Sequence, residues 1–204
     1  MSPELIDTVR YGHLLSFGLG IGAACMADMH VARFLRRPIS RHLLTNLHLC
    51  HTMIWVGLTG MWITGAMLIY VRTGFVLDNV TPKLWSKLGI VSILTVNAFL
   101  IGRIALPQLR QWIGRSPIEV PWRVKLVGGM LSSFSMASWL LALALGSSKV
   151  LASGGWQTFA ILVPLTYAIF GLSALCVVAV LHRFGKPQFD ASAPETKWIG
   201  ELVS

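Results

Sequence analysis

With 204 residues, 54% of them hydrophobic and only 12% charged, the chain has too little polar surface for a water-soluble domain of its size. A mean hydropathy of +0.67 points to lipid as the solvent for the excess apolar area. The formal charge of +9 does not read as a nucleic-acid footprint, because the basic residues fall between apolar runs, where anionic head groups sit.

In chain order, the apolar runs predict about five transmembrane helices, at residues 11–35, 43–71, 84–106, 124–145 and 156–184. The expected fold is all-α, a polytopic membrane helix bundle over residues 1–186, with a short cytoplasmic tail at 187–204. A membrane β-barrel would need short alternating strands in place of these long unbroken runs. Glu4 and Asp7 precede the first run, where a signal peptide would carry basic residues, so that run is read as a retained helix.

Counting Lys and Arg outside the spans sets the expected orientation. The first, third and fifth such segments carry five: Arg10, Arg72, Lys83, Lys87 and Lys149. The second, fourth and sixth carry the other twelve, among them Arg33, Arg36, Arg37, Arg41, Arg110, Arg123, Lys186 and Lys197. The amino terminus should lie outside and the carboxyl terminus in the cytoplasm, in a bacterial-type inner (cytoplasmic) membrane.

Trp85, Trp112, Trp122 and Trp156 fall near span ends, where indole rings favour the wet–dry boundary. Gly18, Gly20 and Gly22 in the first span, and Gly128, Gly129, Ser132, Ser133 and Ser135 in the fourth, are small enough for close helix packing. Pro107 should close the third span, and Pro164 should kink the fifth. The tail, with Trp198, reads as a surface or docking segment. Cys25, Cys50 and Cys176 lie in apolar runs without a Cys-x-x-Cys spacing, and read as small lipid-buried or core residues.

Ionisable and amide side chains inside lipid are costly and mark candidate sites. Here they are His13, Asp28, His30, His48, His51, Lys87 and Asn97. His13 opens the first span and Lys87 the third, both on the outer side, so the two can share a depth. Asp28 and His30 end the first span while His48 and His51 begin the second, so these four share the inner depth. His13 and His51 are separated by ~15 Å or more along the normal, which disfavours one group clamped between them.

His48 and His51 lie on one helical face with Trp55 and Trp62. That stripe reads either as a metal or haem site, with Asp28, His30, His48 and His51 as a zinc-like set, or as an interhelical hydrogen-bond cluster. In the second reading Asp28 pairs with a histidine or with Arg33. Lys87 reads either as a snorkelling lysine or as a ligand, and Asn97 as an interhelical donor.

Three segments carry a family resemblance. They are Tyr11-Gly12-His13-Leu14, Gly57-Leu58-Thr59-Gly60-Met61-Trp62-Ile63-Thr64-Gly65, and Lys83-Leu84-Trp85-Ser86-Lys87-Leu88-Gly89-Ile90-Val91. Their order resembles the HemJ-type protoporphyrinogen oxidases and the related copper-resistance D-like membrane proteins, over residues 11–102. The resemblance implies a bound b-type haem (haem b) at His13 and Lys87.

Three functional readings follow. The first is a haem-binding membrane oxidoreductase that passes electrons between a quinone or porphyrin-like substrate and the haem. The second is a non-catalytic accessory subunit among other membrane subunits. The third is a metal or small-solute transporter, with Asp28, His30, His48 and His51 lining its inner mouth. Soluble hydrolase, kinase and nucleic-acid roles find no P-loop, Gly-x-Ser-x-Gly elbow or zinc-finger spacing to rest on.

Overall fold

Each of the first three long helices starts on a hydroxyl that accepts from an otherwise orphaned backbone amide. In the computed structural model of the chain, Ser2 Oγ accepts from Leu5 N at 3.4 Å, Ser40 Oγ from Leu43 N at 3.1 Å, and Thr81 Oγ1 from Leu84 N at 3.4 Å. The structure describes residues 2–33, 37–116, 119–148, 151 and 154–184. The end of the first predicted span at 34–35, Arg36, Lys149, Lys186, Lys197 and the 187–204 tail with Trp198 lie outside the described residues.

Helix α1 (Pro3–Arg33) begins well before the first apolar run, because Ser2, Pro3 and Glu4 form a start signal. Helix α2 (Arg41–Thr73) ends at Gly74, whose φ of 59° supplies the left-handed cap. Helix α3 (Pro82–Leu100) follows a single 3₁₀ turn at Leu77–Asn79. It continues through a π turn, Ile101–Ala105, into α4 (Leu106–Arg110). Helices α5 (Trp122–Ser147) and α6 (Trp156–Phe184) complete the chain.

The expected stop at Pro107 is therefore corrected. The amide of Leu106 reaches back to Ile101 O, so the chain widens by one residue just before the proline ring, and the helix passes through it to Arg110. Pro164 likewise lies inside the continuous helix α6.

Five helical runs are long and apolar enough to cross a membrane: Pro3–Arg33, Arg41–Thr73, Pro82–Arg110, Trp122–Ser147 and Trp156–Arg183. Their outward faces expose residues such as Leu14, Leu15, Ile161 and Leu172, which suits contact with lipid tails. Cys25 and Cys176 are exposed on those faces, whereas Cys50 is buried, and all three are free thiols.

Helix α1 packs along α2, α5 along α6, and α3 lies against α5 while also touching α2 and α6. A cross-link between α2 and α3 is polar: Trp62 Nε1 donates to Thr95 Oγ1 at 3.0 Å. Asn97 Nδ2 on α3 donates to Leu131 O on α5 at 2.8 Å, the interhelical role expected of it.

The central core gathers Ala23, Ala24, Ile54, Leu58, Met61, Leu94 and Ala98 around a fully buried Trp139. The Trp139 ring meets Phe17 edge-on at 5.5 Å and fills the space beside Gly20, where any Cβ would collide with it. A Cβ on Gly57 of α2 would lie 2.7 Å from Ser16 O and 2.9 Å from Gly20 N, so the backbones of α1 and α2 touch there. Of the small residues expected to mediate packing, Gly20 does so, but Gly18, Gly22 and Gly128 face open space. Glycines at 18, 20 and 22 cannot share one helical face.

At the end of the bundle opposite the amino terminus, two connections are stitched together. Ile39 N donates to Arg115 O at 2.8 Å, and Gly114 N donates to Ile39 O at 2.9 Å. Ile39 also joins Leu43, Leu47, Leu106 and Val120 in a second core cluster.

Candidate functional site

At the amino-terminal end of the bundle, α1 turns half-buried His13 towards α2. Its Nδ1 lies 2.8 Å from Thr64 Oγ1, and Thr64 Oγ1 lies 2.6 Å from Gly60 O. A hydroxyl has a single proton, and the Gly60 carbonyl can only accept. With the Thr64 proton directed to Gly60 O, Nδ1 carries the hydrogen that bonds to Thr64. In that tautomer Nε2 carries the lone pair, the form in which imidazole binds metals, and the Met61 backbone is a further hydrogen-bond partner of the ring. The ring lies over Gly65, where a Cβ would meet His13 Cε1 at 3.5 Å, an ordinary van der Waals contact.

Lys87 enters from the first turns of α3 and is half-buried. It lies within electrostatic reach of His13, and also of Lys83 and Arg72. Lys83 Nζ is engaged with Ser148 O at 3.0 Å, at the end of α5. Among the described residues the one ion pair is Arg10–Asp7 at 3.0 Å, on the solvated first turns of α1. The structure thus brings His13 and Lys87 to the same end and into mutual range.

The four residues of the other end are dispersed. The Asp28 carboxylate accepts from Ser132 Oγ on α5 at 2.6 Å, which corrects the expected pairing with a histidine or Arg33. His30 Nδ1 lies 2.7 Å from Met26 O, on its own helix. Trp55 Nε1 donates to His51 Nε2 at 3.1 Å, with the rings edge-on. His48 faces a surface groove beside Leu106, Pro107, Arg110 and Gln111. Among the described residues no three His, Cys, Asp or Glu side chains come close enough to share a metal ion.

His51 packs against the π turn. A Cβ on Gly102 would sit 2.7 Å from His51 Nε2, so the glycine admits the imidazole against the backbone of α3. The distance along α2 from His51 to Thr64, the partner of His13, is about 20 Å. The two histidines therefore serve different ends of the bundle.

Thr64, Gly102 and Trp139 carry contacts that the residue-type reading passed over. Thr64 had a signal: it stands in the quoted glycine-rich segment, four residues after Gly60, on the face that meets His13. Gly102 and Trp139 had none, because their partners lie on other helices. Among the described residues Trp139 Nε1 is buried without a hydrogen-bond partner.

His13 and Lys87 are nitrogen-bearing side chains at the amino-terminal end that could hold a metal or an anionic cofactor group. Comparison of the chain with protein-family models, with curated proteins and with solved structures finds no match.

Proposed function

We propose that this chain is a haem-binding membrane oxidoreductase, with its amino terminus outside and its carboxyl terminus in the cytoplasm of a bacterial-type cytoplasmic membrane. The observation that carries this reading is the His13–Thr64–Gly60 relay. It fixes the imidazole through Nδ1 at the end of the bundle where Lys87 stands, and in the Nδ1–H tautomer Nε2 carries the lone pair. The resemblance over residues 11–102 implies the same pair. The larger share of basic residues on the opposite end supports the orientation.

In this reading His13 would hold the haem iron through its imidazole, and Lys87 would supply a second nitrogen or pair with a propionate. A b-type haem would supply one-electron chemistry there. The chain itself orients the imidazole through Thr64. A quinone or porphyrin-like molecule is the proposed electron partner.

The test is an absorption spectrum of protein purified from haem-replete cells. A Soret band is expected, lost in His13→Ala and shifted in Lys87→Met. A colourless wild-type protein, or a band unchanged by both substitutions, overturns the reading.

A further inference from the structure

At the end opposite His13, a groove of about 480 Å³ opens between α2 and the π-turn and α4 segment, lined by His48, Leu106, Pro107, Arg110 and Gln111. Its three polar side chains all carry N–H donors, and among the described residues no carboxylate lines it. The surroundings have the same sign. Arg37, Arg41, Arg103, Arg115 and Arg123 belong to this end, while Glu119 is the one described carboxylate of its connections. Asp28, deeper in the bundle, already accepts from Ser132. The occupant this groove suits is therefore acceptor-rich and anionic.

Depth identifies its source. The bonds between Ile39 and the Gly114–Arg115 backbone set the two connections level, so Arg110 and Gln111 lie near the helix ends and His48 lies further along α2. Beyond His48, α2 exposes Leu49, Met53 and Val56, an apolar track towards the middle of the bilayer. A charged, donor-rich mouth that passes into an apolar track matches a molecule with an anionic head and hydrocarbon chains.

We infer that this groove holds an anionic glycerophospholipid. Arg110 and Gln111 meet its phosphodiester, His48 donates deeper, and an acyl chain follows Leu49 and Met53. Bidentate guanidinium contact favours phosphate, and the surrounding basic residues add long-range attraction. The lipid would tie α2 to α4 across the groove and hold the π turn in register. This inference concerns the opposite end of the bundle and does not rest on haem.

The experiment reconstitutes the full chain into nanodiscs of phosphatidylcholine containing a minor fraction of phosphatidylglycerol, extracts it in mild detergent, and counts retained lipids by native mass spectrometry. Retained phosphatidylglycerol is expected in excess over its share of the bilayer. Arg110→Gln should lower that retention about fivefold, whereas Arg103→Gln, outside the groove lining, should leave most of it.

Retention of the two lipids in proportion to their supply overturns the inference, and so does equal retention by Arg110→Gln and the wild type. Displacement of the lipid by inorganic phosphate would assign the groove to a small anion and overturn it as well. Should Arg110→Gln fail to fold, the preference of the wild type between the two lipids still decides.

Discussion

Thr64 on α2 holds the imidazole of His13 on α1 by its Nδ1, at 2.8 Å, while giving its own proton to Gly60 O. One hydroxyl thus holds the ring orientation and favours the Nδ1–H tautomer, an influence on Nε2 from the far side of the ring.

Thr64→Val keeps the shape of the side chain and removes the acceptor. Nitrogen NMR of the purified protein should show His13 as a single Nδ1–H tautomer in the wild type and in Thr64→Ser, and as a tautomer mixture in Thr64→Val. A valine variant that keeps the wild-type spectrum would mean that the relay does not govern the ring.

Ser132 and Asp28 join α5 to α1 through a 2.6 Å bond. Ser132→Ala leaves a half-buried carboxylate without this donor, at an expected cost of about 1–3 kcal/mol. Asp28→Asn retains an oxygen acceptor and should cost less. A double-mutant cycle of unfolding in mixed detergent checks both, and a coupling energy near zero would show the bond to be inert.

Gly57→Ala drives a Cβ into the backbone of α1, which cannot move aside as a flexible side chain can. It should destabilise the protein by about 1–3 kcal/mol. Gly22→Ala, which meets nothing within 4 Å, should be neutral or slightly stabilising through higher helix propensity. Thermal unfolding of the two variants side by side is the measurement, and equal midpoints would contradict the α1–α2 contact.

Gly102→Ala places a methyl 2.7 Å from His51 Nε2, the atom that accepts from Trp55 Nε1. The ring must withdraw and the indole must lose its partner. Trp55 fluorescence, read in a background where the other tryptophans are replaced by phenylalanine, should shift in this variant and in His51→Leu alike. No shift in either would show that the indole is not held by His51.

The helical architecture was legible because lipid imposes a one-dimensional rule: a run either is or is not apolar for the length of a bilayer. Hydropathy missed the first turns of α1, where Pro3 and Glu4 signal a helix start but are not apolar. It also stopped the third span at Pro107, because a π turn is a backbone rearrangement that no residue type announces. Asn97 was readable as an interhelical donor from its residue type alone. The Asp28 partner was not, since reasoning from charge looks for a cation and here a serine in the fourth span supplies the donor to the first. The contact of Gly57 with Gly20 lay within reach: Gly12, Ser16 and Gly20 recur at four-residue spacing on α1, a small-residue ridge that α2 answers with Gly57 and Gly60.

The seating of Trp139 beside Gly20 also bears on how the polypeptide is assembled. During synthesis α1 and α2 enter the bilayer first and can pair through Gly57, yet the notch at Gly20 stays vacant until the fourth span arrives. Final closure is thus deferred to a late stage of biogenesis. A nascent chain interrupted before α5 would carry an open seam in its first hairpin.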